Sequence, residues 1–99
     1  MSPMTLTERI LARKAGKTSV KPGQIVTIEP DIVMTHDHQG HMAIEEFSKM
    51  GAKKIWDPEK VVIVLDHRTP TQSVIAAENH QRLRKFAANH GISCLLDVV

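Results

Sequence analysis

Five consecutive aliphatic residues, Val61-Val62-Ile63-Val64-Leu65, run straight into Asp66-His67-Arg68-Thr69-Pro70. A mostly β-branched run without polar alternation predicts a strand covered on both faces, the pattern of parallel sheets inside α/β domains. In such sheets ligands gather beyond the carboxyl ends of the strands, which is where Asp66 and His67 fall.

The flanking sequence supplies the rest of a parallel arrangement. Thr5-Leu6-Thr7-Glu8 has the form of a capping box and predicts a short helix from about Leu6 to Ala15, stopped by Gly16. Gly16-Lys17-Thr18 lacks the upstream glycine and strand of a phosphate-binding loop and reads as a helix end. Lys21-Pro22-Gly23 marks a turn, and residues 24–29, with Ile25, Val26 and Ile28, predict a strand closed by Pro30. A shorter apolar run, Asp31-Ile32-Val33-Met34, ends in Thr35-His36-Asp37-His38-Gln39-Gly40-His41, the densest polar cluster of the chain.

Helical periodicity sets in at Met42 and continues through Ile44, Phe47 and Met50, with Gly51 where a C-terminal cap belongs. After the Asp57-Pro58-Glu59-Lys60 turn and the central strand, Pro70 suits the first turn of a helix from about Thr71 to Asn89. Val74, Ile75, Ala77, Leu83, Phe86 and Ala87 supply its apolar stripe, Gly91 ends it, and residues 92–99 read as a further strand. The order predicts a parallel βαβαβ sheet with right-handed crossovers and flanking helices. Both polar clusters then lie on one sheet edge, and both crossover helices on one face, leaving the other thinly covered and the fold prone to self-association.

Composition narrows the partners. A net charge of +2 and three scattered aromatic residues, Phe47, Trp56 and Phe86, argue against nucleic acid, and there is no apolar run long enough to span a membrane. The opening residues lack the features of a secretory signal, which points to the cytoplasm. One cysteine, Cys94, permits no intrachain disulfide and cannot alone hold an iron-sulfur cluster.

An Asp beside a His at a strand end can fix the imidazole tautomer and furnish a general acid or base, provided that the loop bends there; a plain polar loop is the bland alternative. His36, His38 and His41 offer a rival, since their spacing after a strand resembles the metal loop of metallo-β-lactamase-type hydrolases. That family has an aspartate where Gly40 stands here and needs further ligands downstream. His80 and His90, with Glu78, fall on or near the last helix, where a structural role is expected.

Three segments, Thr5 to Gly16, Asp31 to Asp37 and Lys60 to His67, together resemble the beginning of the large subunit of 3-isopropylmalate dehydratases, in the aconitase family. Homoaconitase and related hydratase large subunits share them. The resemblance implies that residues 1–99 form a single, truncated aconitase-type α/β/α domain of a cytoplasmic hydro-lyase of leucine biosynthesis. It implies a [4Fe-4S] cofactor, a hydroxy-acid substrate, and as partners the remainder of the large subunit and a small subunit. It assigns catalysis to Asp66 and His67 and substrate contact to Thr35, His36 and Asp37. The cluster cysteines of the family have no counterpart here, so the chain is expected to be inactive alone, or else to be a non-catalytic remnant or interaction module.

Overall fold

A computed structural model describes residues 3–97, which divide after Asp31 into two compact units. Within the first, α1 (Leu6–Ala15) begins with the expected capping box: the Thr5 hydroxyl accepts from the Glu8 amide at 3.1 Å, and the Glu8 carboxylate accepts from the Thr5 amide at 3.4 Å. Gly16 closes the helix at φ 69°, a left-handed conformation that favours glycine. Thr5→Ala is expected to destabilise this unit by about 1 kcal/mol, measurable as a loss of helical circular dichroism on heating.

Residues 24–29 correct the sequence reading, because they form no strand. Their β-branched residues have the propensity, but no described strand offers them a hydrogen-bonding ladder, and Ile25 is 94% exposed.

The second unit contains β1 (Val33–His36), α2 (Asp37–Lys49), a 3₁₀ turn (Pro58–Lys60), β2 (Val61–Val64), α3 (Val74–His90) and β3 (Cys94–Leu96). The strands make one parallel sheet in the order β1-β2-β3, with Val33 opposite Val61, His36 opposite Val64, and Val62 opposite Cys94. The Leu65 amide prolongs the ladder by donating to the Leu96 carbonyl at 2.9 Å. The α/β class and parallel βαβαβ order thus hold.

The core lies on one face of the sheet. Ile63 and Leu65 meet Leu83, Ala87 and Ile92, with Ile44 of α2 and Phe86 of α3 packed against them. Both crossover helices therefore cover the same face, while Met34 and Leu96 remain more than half exposed. Among the described residues, no helix is long and apolar enough to cross a membrane.

Three boundaries differ from those read in the sequence. Helix α2 starts at Asp37 rather than Met42, because the His36 ring acts as its N-cap: Nδ1 accepts from the His38 amide at 3.3 Å. Helix α3 starts at Val74 rather than Thr71, capped by the Ser73 hydroxyl, which accepts from the Ala76 amide at 3.1 Å. Its buried stripe is Ala76, His80, Leu83 and Ala87, at helical spacing, whereas Val74 and Ile75 face outward in the first turn. The last strand is confined to Cys94–Leu96, and Val98 and Val99 lie outside the described residues.

Candidate active site

Parallel pairing brings the carboxyl ends of β1 and β2 to one edge, where His36 closes the first strand and Leu65 leads from the second into Asp66 and His67. The loop bends as an Asp-His contact requires. Asp66 Oδ1 lies 2.6 Å from His67 Nδ1, and both side chains are about half exposed. A proton on Nδ1, shared with that carboxylate, leaves Nε2 as the working nitrogen for proton transfer. The His67 ring also stacks on His36, with centroids 3.8 Å apart and planes within 6°.

Asp37 is placed differently from its neighbours in the motif. Its side chain is completely buried, and both oxygens are occupied. Oδ1 accepts from the His67 amide at 2.9 Å; Oδ2 accepts from the Arg68 amide at 2.8 Å and from His80 Nε2 at 2.7 Å. Burial alone would raise its pKa, but the hydrogen bonds from the Arg68 and His67 amides and from His80 outweigh it and hold the carboxyl at about 2. The residue is an interior anchor for the loop that carries His67.

Thr35 points to the opposite side of the strand from His36 and lines an apolar cavity with Gly40, Ile44, Phe47 and Ile63. Of the five residues singled out in the sequence, Asp66, His67 and His36 form one exposed polar group, Asp37 supports it from beneath, and Thr35 faces the apolar layer. Sequence reasoning passed over Arg68 and gave His80 a structural role without its partner. Arg68 Nε donates to His38 Nδ1 at 3.3 Å. These two residues, with His41, Asn79 and His80, border a cavity of about 280 Å³ beside the histidine stack. His80 was detectable in principle, because it falls four residues after Ala76 and three before Leu83 on the buried stripe.

His36, Asp37 and His67 each place a ligating atom within 4.8 Å of the others. They make a poor metal site. The imidazole lone pairs lie in the ring planes, so two stacked parallel rings aim them side by side rather than at a common ion, and the third donor has no free oxygen. The histidine-spacing rival finds no support either, since among the described residues His36, His38 and His41 are not gathered within ligating distance of one another. Cys94, the single cysteine, sits half-buried in β3 and offers one thiolate, so the residues of this chain do not fit an iron-sulfur cluster.

No family model matches the sequence. Individual relatives do. The chain is 44% identical over 95 residues to a probable 3-isopropylmalate dehydratase large subunit of Methanothermobacter thermautotrophicus, a match covering 96% of this chain and 23% of that protein. It is 42% identical over 95 residues to the 3-isopropylmalate dehydratase large subunit of Moorella thermoacetica, with the same coverage. A third relative, large subunit 1 of Pyrococcus furiosus, is 46% identical over 92 residues, covering 93% of this chain and 22% of the relative. The chain therefore spans less than a quarter of the length of the curated relatives it matches.

Proposed function

This chain is the counterpart of the amino-terminal segment of 3-isopropylmalate dehydratase large subunits, and we propose that it supplies the acid-base element of such a hydro-lyase. The observation that carries the reading is the Asp66-His67 contact of 2.6 Å at the carboxyl edge of the sheet. In dehydration of a hydroxy-acid the carbon-oxygen bond breaks and the hydroxyl departs as water, which requires a proton at that oxygen, while the electron pair of the new double bond comes from the neighbouring C–H bond, whose proton goes to a base outside this segment. His67 is the donor: as the imidazolium, with Nδ1–H on Asp66 and Nε2–H towards the hydroxyl, it passes the Nε2 proton to the departing oxygen and becomes neutral, its charge before the transfer being balanced by the adjacent carboxylate. In hydration the same nitrogen accepts the proton from the incoming water.

His36, stacked on His67, limits the swing of that ring and presents its own Nε2 to a substrate oxygen. Asp37 contributes by fixing the loop backbone. The remaining machinery belongs to segments beyond this match: a cluster, the rest of a large subunit, and a small subunit. A cytoplasmic place in leucine biosynthesis goes with the same reading. Because the chain has a single cysteine where a cluster needs several thiolates, it is assigned no turnover by itself.

The purified chain is expected to carry no iron or sulfide and to leave isopropylmalate unchanged. In an assembled enzyme containing this segment, His67→Ala should lower kcat by roughly 10²- to 10⁴-fold, the usual worth of a positioned acid-base group. Asp66→Asn should have a smaller effect of the same sign. Undiminished turnover in the His67→Ala enzyme would sink the proposal and favour a non-catalytic interaction module.

A further inference from the structure

We propose that His80 is a positioning residue for His67, acting through Asp37. The proposal rests on the hydro-lyase reading only for the task it gives His67; the clamp itself is argued from geometry. His80 is 3% exposed and comes from the middle of α3, yet its ring reaches the sheet edge to meet Asp37 Oδ2 at 2.7 Å. The same carboxylate receives two consecutive amides of the loop, His67 and Arg68. It also begins α2 directly after His36, whose ring stacks on His67. Both imidazoles of the stack are therefore tied to the placement of one carboxylate.

The torsion that turns an Asp carboxylate about its Cβ–Cγ bond is soft, so its plane is set by its hydrogen-bond donors. Two of the three donors belong to the loop being positioned and cannot serve as a fixed reference for it. His80 can. It is packed in the same buried stripe as Leu83 and Ala87, which form part of the core with Ile63 and Leu65. In this arrangement the core fixes His80, His80 orients Asp37, and Asp37 holds the backbone from which His67 projects. The geometry requires the His80 proton on Nε2, since the ionised Asp37 oxygen can only accept.

The test compares His80→Gln with His80→Asn in the full 99-residue chain. The Gln side-chain nitrogen occupies a position equivalent to Nε2, whereas that of Asn reaches only the place of Nδ1. Amide hydrogen exchange is read at His67 and Arg68, with Leu65, which is bonded to the Leu96 carbonyl, as an internal reference. The expected result is exchange at His67 and Arg68 at least tenfold faster in the Asn variant, recovery to within roughly threefold in the Gln variant, and Leu65 unchanged in both. Unaltered His67 and Arg68 rates in a folded Asn variant overturn the clamp; so does an equal acceleration at Leu65, which marks His80 as a general packing residue. Should neither variant fold, ring nitrogen shifts of the unsubstituted chain decide: a proton on Nε2 coupled across the bond to Asp37 supports the assignment, and one on Nδ1 refutes it. These readouts contain no activity measurement, so loss of the hydro-lyase reading leaves them intact.

Discussion

Asp37→Asn should lower the stability of the α/β unit by about 3 kcal/mol, seen as a fall in the urea midpoint. The change is nearly isosteric, but it removes the charge on which two amides and an imidazole converge and sets an NH₂ group against an N–H donor. Breaking one member of a buried, hydrogen-bonded charge network costs about 3–5 kcal/mol, and the one carbonyl oxygen that remains justifies the lower end. The same site predicts a pH dependence. The carboxyl titrates at about 2 in the fold against an ordinary 3.8, so the unfolded chain binds the proton more readily. Stability from this group is complete above about pH 5, is lost as the pH falls from about 4 to about 2, and amounts to about 2 kcal/mol. The difference between the unsubstituted chain and Asp37→Asn should therefore shrink across that interval; a constant difference would show that Asp37 is not ionised in the fold.

The second large effect is at Gly40, in the first turns of α2. A Cβ added there would stand 2.7 Å from Leu83 Cδ2 and 3.5 Å from Thr35 Cγ2. A methyl group at the end of a side chain can often move aside, but Leu83 is fully buried in the core against Ile63 and Leu65. Gly40→Ala should cost about 1–2 kcal/mol, the overpacking strain exceeding the gain of nearly 1 kcal/mol in helix propensity. Leu83→Ala should cost about 3 kcal/mol through the cavity that it leaves. Combined, the two should cost less than their sum by at least about 1 kcal/mol, since each removes the other's clash or void. Strict additivity in chemical unfolding would mean that the helices do not approach each other at Gly40.

Much of this arrangement could be read from the residues, with failures that have physical causes. The run Val61–Leu65 announced a central parallel strand because it lacks alternation, and Ile63 and Leu65 are indeed among its most buried members. Residues 24–29 misled, since β-branched propensity says nothing about whether a neighbouring strand exists. The start of α2 was hidden because histidine is not among the residues expected at an N-cap, so a strand end and a helical turn looked like one polar loop. Asp66 and His67 were legible as adjacent residues. Asp37 was singled out through the resemblance as a substrate contact, and its place as an anchor was not legible, because its donors come from positions 30, 31 and 43 residues away. The role of His80 needs the same long-range information, though its place in the stripe does not.

Among the described residues the sheet order β1-β2-β3 follows the order of the chain, and each of these strands pairs with the one made just before or after it. Both ladders among the described residues join strands that are consecutive in the chain, so each crossover helix can dock as soon as its two strands exist. A nascent chain could build this layer stepwise as it leaves the ribosome, with Asp37 capturing the His67 and Arg68 amides once the second strand has emerged, and His80 completing the lock one helix later.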